Sequence, residues 1–70
     1  MQSPSLSDPP DELPYRVELW FEGRDEIERI LARAVSAVLA HAIFKAAQVE
    51  HPQRRITLST GDRIVADSVG

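Results

Sequence analysis

Seventy residues with no cysteine, two histidines and a formal net charge of −3 allow at most one small domain, with no disulfide and no Cys/His metal cluster. The excess acids, Asp8, Asp11 and Glu12, lie in residues 1–14, and residues 15–70 carry eight basic and eight acidic side chains. That neutral body speaks against nucleic acid, whose binders need a basic excess, and against an anionic membrane surface.

Residues 1–14 contain Pro4, Pro9, Pro10 and Pro14, with Ser3, Ser5 and Ser7 between them. Proline lacks a backbone donor and little here is apolar, so a disordered acidic tail is expected, followed by one domain over residues 15–70. The tail has neither the basic nor the apolar segment of a secretory signal, and the expected compartment is cytoplasmic. No apolar run approaches the roughly 20 residues that span a bilayer, so no membrane partner is expected.

Residues 15–22, YRVELWFE, alternate with period two. Tyr15, Val17, Leu19 and Phe21 fall on one face and Arg16, Glu18, Trp20 and Glu22 on the other, the pattern of a strand with one buried face. Gly23 ends it. Asp25 and Glu28 then form a D-x-x-E capping box, which predicts a helix from residue 25 to about residue 50, closed by Pro52. Two short runs, 54–58 and 62–67, flank Ser59-Thr60-Gly61 and predict a hairpin with a three-residue loop. That register pairs Ile56 with Ile64. It puts Ile56, Leu58, Ile64 and Ala66 on one face and Arg55, Thr57, Arg63, Val65 and Asp67 on the other.

The predicted fold is α+β, in the order βαββ. A three-stranded, mainly antiparallel sheet carries one long helix on one face. The last strand is expected between the first and second, with a parallel pairing of the first and second as the alternative. In element order and size this resembles dodecin, a family of small flavin-storing oligomers. The likeness is one of fold alone and carries no residue, and no cofactor is expected.

At about 100° per residue, Ile27, Ile30, Leu31, Ala34, Val35, Val38, Ala42 and Val49 form the stripe expected to face the sheet. Ala40, Ile43, Phe44 and Ala47 continue the opposite side with no charge among them. A helix apolar all round expects cover on both sides, and a chain this short usually needs a staple. Ala40, Ile43, Phe44 and Ala47 are therefore the candidate self-association surface, with a homodimer as the expected partner.

Trp20, Arg16, Arg55 and Arg63 are expected together on the outer sheet face. They could hold a small ligand or single-stranded nucleic acid, although Glu18, Glu22 and Asp67 on the same face offer plain charge pairing. Ser36 has no base at helical spacing, His41 and His51 are isolated, and no phosphate loop or metal motif occurs. The expectation is a non-enzymatic homo-oligomeric interaction module, and the alternative is a binder that uses the outer sheet face.

Overall fold

The computed structural model describes residues 13–69. The predicted tail, residues 1–14, lies outside them except for Leu13 and Pro14. The chain runs β1 (Tyr15–Trp20), β2 (Ile27–Ala34), α1 (Ala37–Glu50), β3 (Ile56–Thr60) and β4 (Arg63–Asp67). The four strands form one antiparallel sheet in the order β2-β1-β3-β4, with α1 packed on one face.

The predicted α+β class and the single helix on an antiparallel sheet stand. The three-stranded βαββ order does not, nor does the last strand's place between the first two. The predicted long helix is a strand followed by a shorter helix. Residues 21–26 turn the chain back, with Gly23 at φ 75° and the Phe21 N–H donating to the Glu26 carbonyl over 2.9 Å. The region of positive φ is open to glycine at little steric cost. β2 then pairs along the whole of β1. With four strands in ββαββ order, the likeness to dodecin no longer holds.

Two bulges hid β2 from its own sequence. Val17 and Glu18 pair with Ala32 and Ile30, which leaves Leu31 as an extra residue; Leu19 and Trp20 pair with Arg29 and Ile27, which leaves Glu28 extra. Each extra residue shifts the alternation by one, so IERILARA shows no period of two and mimics a helical stripe. The capping role predicted for Asp25 belongs to Ser36, which is extended (φ −133°, ψ 158°) and accepts from the Leu39 N–H over 3.2 Å. At the other end the His51 N–H donates to the Ala47 carbonyl, and Pro52 follows, as expected.

The β3–β4 hairpin also differs in register. Thr60 pairs with Arg63, so the loop is Gly61-Asp62, with Gly61 at φ 62°. A bulge at Val65 lets Leu58 pair with Ala66 while Ser59 pairs with Ile64. Ala66 thus reaches the core as predicted. Ile64 moves to the outer face and stays exposed.

The core is thin. Val17 and Leu19 from β1, Ile56 and Leu58 from β3, and Ala34 from β2 meet Ala40, Phe44 and Ala47 from α1. Tyr15, Leu31, Ile43 and Ala66 close its rim. Both edge strands, β2 and β4, carry bulges and charged residues, devices that discourage edge-to-edge pairing with another chain.

Candidate functional site

The helix has two apolar faces, and the sheet takes the one that the sequence pattern assigned to a partner. Ala40, Phe44 and Ala47 recur at i, i+4 and i+7 and are buried against the strands, with Ile43 beside them. Their assignment as a self-association surface is corrected accordingly. Ala40 and Ala47 present only a methyl each to the core, and Phe44 is the one large side chain among the three. Of the predicted sheet-facing stripe, Ala34 is in the core and Leu31 on its rim, both from β2, whereas the residues that lie on the helix point into solvent. Val38 and Val49 are 80% and 81% exposed, and Ala42 between them is exposed as well. Val35 and Leu39 extend the same apolar area at the helix start. A single large apolar residue on a surface is unremarkable, but several along one helix face are a feature of interaction surfaces.

The reason for the swap lies in where the helix begins. A helix started at residue 25 aligns Ile27, Ile30, Leu31 and Ala34 with Val38, Ala42 and Val49. Those first four residues are in β2, so their contribution to the stripe vanishes. The helix that remains, residues 37–50, has its largest side chain at Phe44, and burial of that ring sets the rotation.

The outer sheet face presents a different chemistry. Glu18, Thr57 and Ser59 sit side by side on the two central strands and are almost fully buried, although no helix covers them. One Glu18 oxygen, Oε1, accepts from the Ser59 hydroxyl over 2.7 Å and from the Thr57 hydroxyl over 2.9 Å. The other, Oε2, accepts from Arg16 Nε over 3.0 Å. Arg16 also donates to the Gly61 carbonyl over 2.7 Å, which ties the hairpin loop to β1. The Trp20 indole N–H donates to Thr57 Oγ1 over 2.8 Å, and the Arg55 guanidinium lies 4.1 Å above the Trp20 ring. Arg55 is held in turn by Asp67, with bonds of 2.7 and 3.2 Å, and by Asp25 at 3.4 Å.

Trp20, Arg16 and Arg55 are therefore brought together as the alternation predicts. Arg63 is not among them: it pairs with Thr60, whose neighbour Tyr15 belongs to the helix side of the sheet. The indole donor is spent on Thr57, one ring face is covered by Arg55, and Arg16 and Arg55 both direct their guanidiniums to carboxylates of the same chain. Pairing within the sheet and to its two turns accounts for these contacts. Sequence reasoning put Glu18 and Thr57 on this face but Ser59 in the hairpin loop, and so missed the buried centre that the three form. The alternation of β1 and β3 could give the face of each residue but not the pairing of the two strands, which brings the acid to the hydroxyls.

Burial pushes the Glu18 carboxyl up, but hydrogen bonds from Ser59, Arg16 and Thr57, together with the Arg16 charge, outweigh it and leave the group below its ordinary 4.5. The hydrogen bond from Arg55 likewise holds Asp67 below its ordinary 3.8. Both shifts are depressions, so both groups stabilise the fold above their unfolded pKa, and that contribution is lost as pH falls through the folded values. The urea midpoint is expected to hold steady from neutral pH to about pH 5 and to drop below about pH 4. Glu18→Gln should flatten that drop; a midpoint that rises on acidification would contradict the assignment of Glu18 as ionised.

A third feature is an open depression of about 460 Å³ beside the β1–β2 turn, lined by Phe21, Arg24, Asp25, Gln53, Arg55 and Val69. The Arg24 guanidinium lies 4.1 Å above the Phe21 ring. Its lining mixes acids and bases and holds no nucleophile beside a base. Among the described residues no group of three or more His, Asp or Glu side chains is placed to hold a metal, and no helix is long and apolar enough to cross a membrane. Compared with protein-family models, curated proteins and solved structures, the chain finds no match.

Proposed function

We propose that the chain is a non-enzymatic interaction module that forms a homodimer through the solvent face of α1. The observation that carries this reading is the exposed stripe of Val38, Ala42 and Val49, interrupted only by Lys45, on a helix whose other face already fills the core. The thinness of that core supports it. Three of its eight buried apolar residues are alanine, and a domain this small gains little net stability from one core alone. The bulged sheet edges, and an outer face whose charged side chains pair within the chain around isolated apolar residues such as Ile64, favour the helix as the surface for a second copy.

The expected affinity is modest. A 14-residue helix is about 21 Å long, so one helix pair buries less than the ~800 Å² per partner of a standard interface. Each valine contributes roughly 1.5–3 kcal/mol when fully buried, against a large cost in lost rotational and translational freedom. A dimer in the micromolar range or weaker follows. Replacing both Val38 and Val49 with glutamate is expected to leave the far-ultraviolet circular dichroism unchanged and to abolish association in sedimentation equilibrium. A double variant that still associates as the wild type does would remove this stripe from the interface.

A further inference from the structure

We infer that the two helices pair antiparallel, about a two-fold axis midway between Val38 and Val49, with Glu50 of each copy beside the first helical turn of the other. The inference rests on the self-association proposed above and adds its geometry. Three features of α1 lead to it.

The first is the placement of bulk. Val38 and Val49 stand at the two ends of the exposed stripe with Ala42 and Ala46 between them. End-for-end pairing sets each Val38 against the partner's Val49, so both ends are filled, and between them only Lys45 rises above the alanines. A two-fold arrangement of this kind uses the same patch on both copies.

The second is Lys45, which lies within the stripe, about 20° from Val38 around the helix at 100° per residue. Parallel pairing would set each Lys45 against its own counterpart. Antiparallel pairing sets Lys45 against the partner's Ala42, where the methylene stem can lie over a methyl group while the ammonium reaches water at the rim.

The third is the uncompensated dipole of the helix. The first turn of α1 has no acidic residue and the last turn has no basic one; instead Glu50 stands at the C-terminal end. Each helix thus carries an acid at its own negative end and none at its positive end. Antiparallel pairing corrects both at once, because each Glu50 comes to lie by the partner's N-terminal N–H groups. Parallel pairing would bring the two Glu50 carboxylates together.

The native chain has no cysteine, so single cysteines report contacts without background. Val38 and Val49 are eleven residues apart, or about 16 Å along the axis, far beyond the ~7 Å limit of a disulfide. Equal amounts of Val38→Cys and Val49→Cys chains are mixed, oxidised mildly and analysed by mass spectrometry, with sedimentation run in parallel. Antiparallel pairing gives 38–49 disulfides in excess over 38–38 and 49–49. An excess of the two self-links means a parallel pair and overturns the geometry while sparing the dimer. A sedimenting dimer that forms none of the three links overturns the stripe itself. A chain that stays monomeric removes the self-association reading, and the geometry with it. Glu50→Lys supplies the electrostatic check: the dissociation constant should rise about three-fold or more at low salt, and the difference should disappear near 1 M salt, where the Debye length is about 3 Å.

Discussion

Phe44→Ala is expected to unfold most of the protein at room temperature. The ring is the largest apolar side chain that α1 contributes to the core, and it is buried against both central strands. Truncating a buried phenylalanine typically costs about 3–5 kcal/mol, the lost transfer energy plus the cavity left behind. Collapse around the site is limited, because the adjacent helix contacts are Ala40 and Ala47 and have no bulk to move inward. A domain of this size has a total stability of only about 3–9 kcal/mol at 0.05–0.15 kcal/mol per residue, so the loss is comparable with the whole. Loss of the cooperative thermal transition by circular dichroism is the expected readout. A variant that folds as the wild type does while losing only its oligomeric state would return Phe44 to an interface and reverse the rotation of the helix. Val49→Ala, on the free face, serves as the contrast. At protein concentrations where the chain is monomeric it should change stability by no more than about 0.5 kcal/mol.

Glu18→Ala is expected to cost about 3 kcal/mol, a second effect nearly as large. Removal of one member of a buried ion pair ordinarily costs 3–5 kcal/mol, and the low end applies because the Arg16 side chain keeps 23% of its exposure. The damage comes from what is left behind. Thr57 and Ser59 lose the oxygen to which both donate, in a layer that water does not reach. Thr57 still accepts from the Trp20 indole, so the network loosens from its centre. The ordering of Trp20 under Arg55 should therefore weaken, and a red shift of Trp20 fluorescence should accompany the drop in the urea midpoint. An unchanged midpoint would mean that the buried carboxylate contributes nothing beyond the cost of burying it.

The parts of this fold that could be read from sequence were those in which the periodicity ran unbroken. β1 alternates cleanly from Tyr15 to Trp20, and its buried and outer faces are where the pattern puts them. The helix end is set by Pro52, a purely local constraint. The parts that could not be read trace to the bulges, to the length of the hairpin loop and to the start of the helix. Leu31 and Glu28 each break the alternation of β2; the two-residue loop puts Arg63 on the helix side and Ile64 on the outer face, and the bulge at Val65 returns Ala66 to the core. A bulge is chosen by the pairing with the neighbouring strand, so no count along β2 or β4 alone reveals it.

The site shows the same division. The inference that the helix is apolar on both sides survives, because it depends only on composition around residues 37–50. The choice of which side meets the sheet depended on where the helix begins, and Ser36 decides that. The same segment reads as the interior of a helix when Asp25 is taken as its cap and as the start of one when Ser36 is. The choice rested on four residues of β2, and once they leave the helix, Val38 and Val49 exchange places with Phe44.

Sedimentation velocity of the wild-type chain from micromolar to millimolar concentration tests the central claim most directly, with the Val38→Glu, Val49→Glu double variant alongside. The expected result is a concentration-dependent shift from 7.8 kDa toward twice that mass in the wild type and none in the variant. A wild type that remains at the monomer mass throughout, or a double variant that shifts with it, would contradict self-association through the solvent face of α1.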